Sequence, residues 1–321
     1  MEYSRLVSLC SLLYVALALL GRSYASNDVS SDSYWQSAFP KTTIPKTLQE
    51  LLAYGRPWNE GKASRYTGIS KDNLNINTML VSGSAFPIIG KDNYAEAASG
   101  KIHVEPDVTT FFLEKDLRLG KKMTLHFPKT TDAAKILHRK VAKSIPFSTT
   151  RLPQILNQFA VKPYSAEAEV IKQTIEDCEA PGIKGEDKYC ATSLESLVDF
   201  TASKLGKYVQ VYSTEVVNEN KQEYKIGKGA VQKIGDRSVV CHKQKYLYAV
   251  FYCHEIHSTR AYVVPLVGAD GTKAEAVAVC HTDTRTWNIK HFAFQALKIK
   301  PGTVPICHFL PRGNLVWVPN K

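Results

Sequence analysis

The dipeptide Cys-His occurs four times toward the C-terminal end of this 321-residue chain: Cys241-His242, Cys253-His254, Cys280-His281 and Cys307-His308. Ten residues separate the first two pairs, and twenty-five fill each of the next two intervals. Neighbouring residues on a β-strand point to opposite faces, so the two members of a pair do not easily reach one metal ion. That spacing, with no Cys-x-x-Cys anywhere, argues against a mixed Cys-His zinc finger. The expected arrangement has two faces: two disulfides among Cys241, Cys253, Cys280 and Cys307 on one side, four histidines converging on the other. Four cysteines allow three connectivities, and the sequence does not choose among them. With the thiols paired, His242, His254, His281 and His308 remain as ligands, and an all-imidazole set points to copper or, second, zinc. The competing reading makes them core or hydrogen-bonding residues beside structural bridges. His257 and His291 lie near the ladder as further candidates for ligation or proton transfer. His103, His126 and His138 read as packing or surface residues, and Trp287 and Trp317 as core.

Whether the thiols pair depends on the compartment. Arg5, the apolar run Leu6 to Leu20 and Ser23-Tyr24-Ala25 form a secretory leader over residues 1–25. The run is short for a membrane span, and no later stretch approaches one, so no span is expected after cleavage. Cleavage removes Cys10 and leaves six cysteines, an even number in an oxidising compartment. The net charge is +11 and falls by one with the leader. A basic secreted protein suits an acidic polysaccharide or an anionic surface, whereas the leader argues against nucleic acid.

Residues 26–107 read as a looser, cysteine-free region with a short helix over Lys46 to Tyr54. From residue 108 the texture is that of a folded domain running to 321. Three helices are expected there: one capped by Thr131 and ending near Lys143, one over Ala166 to Cys178, and one behind a capping box in Thr192-Ser193-Leu194-Glu195. Cys178 and Cys190 bracket the loop between the last two and are expected to close it. Strands follow over Tyr208–Tyr212, Tyr246–Cys253, Ala261–Val267, Ala274–His281, Val304–Leu310 and Leu315–Val318, with a hairpin turn at Gly268–Thr272. The fold class is α+β: a helical first part, then a mainly antiparallel sheet or barrel framed by disulfides.

The four Cys-His pairs, with eight residues between His308 and Trp317, resemble the signature of the plant BURP domain. Phe111 to Leu117, Ile145-Pro146-Phe147, Cys190-Ala191-Thr192-Ser193-Leu194-Glu195-Ser196 and Thr303-Val304-Pro305-Ile306-Cys307-His308 resemble its other motifs. The resemblance covers Val108 to Lys321. Upstream, Tyr34-Trp35, Pro40 and Ile44-Pro45-Lys46 resemble the opening segment of seed-type and dehydration-responsive members.

That resemblance implies two readings. In the first, the chain is a non-enzymatic seed, stress or cell-wall protein, destined for the apoplast or a storage vacuole, that binds acidic wall polysaccharide or restrains a wall enzyme. In the alternative it is a copper-dependent peptide cyclase acting on its own N-terminal segment, with the ladder histidines as copper ligands and Tyr54 or Trp58 as crosslinked residues. Such a step removes two hydrogens and needs an oxidant. No repeated core peptide is present, and no triad, paired-carboxylate site or phosphate loop supports hydrolase or kinase chemistry.

Overall fold

The computed structural model describes residues 30–52, 108–127, 134–182 and 185–320. The leader with Cys10, and also Tyr54, Trp58 and His103, lie outside them. The described chain runs α1 (Ser31–Ala38), α2 (Lys46–Leu51), β1 (Phe112–Leu113), β2 (Lys122–Leu125), α3 (Arg139–Ser144), α4 (Leu152–Gln158), α5 (Ala166–Glu179), β3 (Glu186–Ala191), α6 (Leu194–Leu205) and β4 (Val209–Tyr212). It continues with β5 (Glu215–Val216), β6 (Gln222–Ile226), β7 (Gln232–Gly235), β8 (Val239–Lys243), β9 (Phe251–Ile256), β10 (Thr259–Gly268), β11 (Lys273–His281), α7 (Phe292–Leu297), β12 (Ile306–Phe309) and β13 (Leu315–Pro319).

The strands form two antiparallel sheets, so the fold is α+β as expected. The first has the order β1-β12-β11-β10-β6-β2, with β5 on β11 and β7 on β10; the second has the order β3-β9-β8-β13-β4. The first sheet curls on itself. Phe127, just after β2, reaches Phe309 of β12 with ring centroids 6.2 Å apart, four strands away. Its concave face is filled by Phe112, Met123, Leu125, Tyr224, Leu266, Ala276 and Ala278.

The other face of the first sheet packs on the second sheet. Ile234, Ala261, Val263, Val277 and Val279 come from one side, Val240, Val316 and Val318 from the other. The sheets approach closely at Gly235, where a Cβ would stand 2.9 Å from Val318 Cγ1, so a side chain there would push the sheets apart. The far side of the second sheet is covered by α6 and α1 through Leu194, Leu197, Val198, Trp35 and Trp317.

The segment before α2 is therefore packed on the domain. Trp35 is fully buried and its indole donates to the Thr42 carbonyl at 2.7 Å. Tyr34 and Arg139 both bind the Asp199 carboxylate of α6, at 2.5 Å each. Leu52 forms a parallel bridge with Ile136.

Three local expectations are corrected. The first helix of the domain begins only at Arg139, because residues 134–138 are extended and hydrogen-bond away from themselves, Ile136 N–H to Leu51 at 2.9 Å and Leu194 N–H to the Leu137 carbonyl at 3.2 Å. The cap of α6 is Ser193 with Ser196, one residue on from the expected box. Glu195 instead accepts the Arg139 N–H at 2.9 Å, tying α3 to α6. The apolar run from Tyr246 is strand only from Phe251; Tyr246 to Val250 is an irregular segment buried against α4 and α5. A continuous apolar run signals burial but carries no period to distinguish strand from buried loop.

Candidate functional site

The period of two in each strand sorts the Cys-His pairs. Cys241 and Cys253 face the helix-covered layer with Trp317, while Cys280 and Cys307 face the concave core of the curled sheet. Their histidine neighbours therefore point into the layer between the sheets, on the side occupied by Val240 and by Val277 and Val279. The bridges join register partners on neighbouring strands: Cys241–Cys253 across β8 and β9, and Cys280–Cys307 across β11 and β12. This selects one of the three open connectivities. Cys178–Cys190 closes the third bridge, from α5 to β3.

Direct register places His242 opposite Tyr252 and His254 opposite Val240, so the two histidines are diagonal neighbours on one face. His281, opposite Ile306, and His308, opposite Val279, repeat the arrangement on the other sheet. The Nε2 atoms of His242 and His254 are 3.2 Å apart. The rings of His281 and His308 lie nearly parallel with centroids 5.6 Å apart.

The two pairs lie in one another's electrostatic field. Burial first, then the imidazoles of His254, His308 and His281, holds His242 well below the ordinary histidine range. Burial, then His308, His254 and His291, does the same to His281. His308 is lowered to about 4, chiefly by burial. Among the described residues no group of three or more His, Cys, Asp and Glu side chains is drawn together as a metal site, so the rings stand as two pairs.

Partners behind the rings differ. Glu186 of β3 accepts His254 Nδ1–H at 2.7 Å and the Tyr252 hydroxyl at 3.2 Å, with its side chain only 2% exposed. His308 Nδ1 reaches the Phe309 carbonyl at 3.4 Å. His281 Nδ1 is buried without a hydrogen-bond partner among the described residues. Behind His242, the Asn314 amide nitrogen lies 3.2 Å from Nδ1.

These residues bear on whether a metal ion fits. Two nitrogens bound to one ion at about 2.0–2.1 Å in tetrahedral geometry stand about 3.3 Å apart. The His242–His254 separation of 3.2 Å matches that. A carboxylate behind a ligating imidazole is the usual second partner, and Glu186 holds that position. His281 Nδ1 offers a buried lone pair or proton with no competing bond among the described residues.

The remaining candidates fall elsewhere. His257 is exposed beside Gly185. His291 is buried between Phe111, Trp287 and Phe294, and its Nδ1 accepts the Ala293 N–H at 3.1 Å to cap α7. His138 joins Ser31 and Glu195 where the N-terminal segment docks. Trp287 is buried against His281, with centroids 5.0 Å apart. Glu186 and Asn314 carried no sequence signal, since they lie 68 and 72 residues from the histidines they meet, whereas Tyr252 stands beside Cys253 within the apolar run.

Residues 110–319 match the family model of the BURP domain. The chain belongs to the BURP-domain family. Among plant BURP proteins it is 51% identical over 232 residues to BURP domain protein RD22 of Arabidopsis thaliana, covering 70% of this chain and 59% of RD22. With BURP domain-containing protein 5 of Oryza sativa it shares 41% identity over 309 residues, covering 94% of this chain and 90% of the relative. With Protein RAFTIN 1B of Triticum aestivum it shares 31% identity, covering 98% and 97%. The BURP chain spans a little over half the length of RD22 and of rice BURP domain-containing protein 3, at 59% and 54%. Among the described residues no helix is long and apolar enough to cross a membrane. Its three disulfides match an oxidising compartment.

Proposed function

We propose that this BURP protein is a binding protein of the secretory pathway, held rigid by its bridges, whose ladder histidines take up copper. The observation that carries the reading is the pair of facing Nε2 atoms of His242 and His254, 3.2 Å apart, with Glu186 behind one of them. His281 and His308 face the pair from the other sheet. An all-imidazole set suits copper, with zinc second. Copper in such a site supplies redox or Lewis-acid chemistry; the chain's own residues orient the rings and exclude water around them.

The binding role is favoured over self-cyclisation by two features. The histidines are largely buried, with His254 9% and His281 and His308 6% exposed. Of the N-terminal aromatics, Trp35 is locked in the core against Trp317. The strongly basic net charge, +11 for the full chain and one less without the leader, suits an acidic wall polysaccharide, or a wall enzyme with an acidic surface, as the partner in the apoplast or a storage vacuole.

The test expresses the protein through a secretory pathway and titrates it with copper and zinc alongside His254→Ala and His308→Ala. Saturable copper uptake lost in both variants is expected, with residues 26–107 unmodified by tandem mass spectrometry after copper and oxygen. Equal uptake in the variants overturns the metal reading. Loss of two hydrogens at Tyr54 or Trp58 replaces the binding role with the cyclase.

A further inference from the structure

The side chain of Asn314, 1% exposed in the turn before β13, has both ends committed. Its Oδ1 accepts the backbone N–H of Lys243 at 3.0 Å, a donor fixed by strand β8. The amide nitrogen therefore faces His242 Nδ1, at 3.2 Å. An amide nitrogen only donates, so His242 Nδ1 must carry a lone pair and the ring proton must sit on Nε2. Nε2–H then points at His254 Nε2, 3.2 Å away, and makes it the acceptor. That places the His254 proton on Nδ1, where Glu186 accepts it at 2.7 Å. Every donor in the chain Lys243, Asn314, His242, His254, Glu186 points the same way.

We infer that Asn314 is a positioning residue that fixes the proton of His242 on Nε2 and so latches the His242–His254 pair closed in the metal-free protein. Its consequence for copper rests on the reading above; the proton assignment does not. An ion drawing on both Nε2 atoms must first displace that proton. A simple change of tautomer would set His242 Nδ1–H against the Asn314 N–H, and turning the amide would abandon the Lys243 N–H in a buried site. The latch thus opposes loading at His242 specifically, leaving His281 and His308 untouched.

The experiment is nitrogen-15 NMR of the imidazole rings in metal-free wild type and in Asn314→Asp, followed by copper titration of both. In the variant both side-chain oxygens accept, so the Lys243 bond survives and His242 can turn Nδ1–H toward the carboxylate. The expected result is His242 protonated on Nε2 in wild type and on Nδ1 in the variant, with copper binding tightened about tenfold. Nδ1-protonated His242 in wild type overturns the inference, and this measurement decides even where the variant does not fold. An unchanged tautomer in a folded variant also overturns it. Tautomers that shift as stated in a protein taking no copper uphold the Asn314 assignment and overturn the metal reading alone.

Discussion

The indoles of Trp35 and Trp317 pack with centroids 5.3 Å apart, both fully buried, although 281 residues of chain lie between them. Phe39 completes the cluster, 5.4 Å from each. The short α1 helix contributes little stability by itself, so its order comes from this packing. Trp35→Ala should therefore destabilise the whole BURP domain by about 3–5 kcal/mol. Urea unfolding followed by Trp317-sensitive fluorescence and by far-UV circular dichroism checks it. Coincident midpoints, both shifted down, are expected; a loss confined to an N-terminal signal would mean that the segment is an appendage.

The bridges differ in the loop each closes. Cys241–Cys253 spans a sequence separation of 12 and Cys280–Cys307 one of 27. On chain-entropy grounds their removal costs about 3 and about 3.5 kcal/mol, so the ranking is shallow. Structure adds a larger contrast. Cys241 and Cys253 lie in the core that holds Trp35 and Trp317, whereas Cys280 and Cys307 face the curled sheet. Cys241→Ala with Cys253→Ala should therefore disturb tryptophan fluorescence and the His242–His254 pair together. Trp287 packs on His281 beside Cys280, so both double variants are compared in a Trp287→Phe background, where Cys280→Ala with Cys307→Ala should leave the fluorescence of the Trp35–Trp317 cluster near wild type. Identical spectra in the two double variants would contradict the layering.

How far the sequence could be read follows from the range of each interaction. The sorting of cysteines from histidines needed only the period of two at Cys241-His242 and its three counterparts, a local property. The pairing of the cysteines depends on strand adjacency: β8 and β9 are consecutive, but β11 and β12 are joined across α7, and no local signal reports that. Glu186 and Asn314 enter the site from β3 and from the turn before β13, and neither residue type is unusual where it stands. The run from Tyr246 to Val250 misled because its burial comes from packing with the helices around it, α4 and α5 among them, not from pleating.

Acid should weaken the metal-free fold before its carboxylates matter. Burial lowers His308 to about 4 and His291 to about 3, from an ordinary value near 6.5. Both are neutral when folded, and the unfolded chain takes up their protons first. Their contribution is thus full above pH 6.5 and is lost as pH falls toward those folded values, on the order of a few kcal/mol in all. The melting temperature should drop steadily from pH 6.5 to 4.5. His291→Asn keeps a side-chain acceptor for the Ala293 N–H and removes one titrating ring, so its curve should be flatter. A wild-type curve that is level across this window would mean that these rings are solvated.

Glu186 is the remaining test of the site's outer partners. Its carboxylate sits almost wholly out of water, accepting from His254 at 2.7 Å and from the Tyr252 hydroxyl at 3.2 Å. A buried carboxylate is costly unless its oxygens are used, and this one is used to orient an imidazole. Glu186→Gln retains an oxygen acceptor and the side-chain shape but removes the negative charge behind the His254 ring. Copper affinity should fall about 10- to 100-fold, as expected when the carboxylate behind a ligating histidine is neutralised. The fold should persist, because the amide oxygen can still accept His254 Nδ1–H. Competition titration against a chelator of known affinity, with circular dichroism run in parallel, separates the two effects. Unchanged affinity in a folded variant would leave Glu186 as a purely structural anchor between β3 and β9.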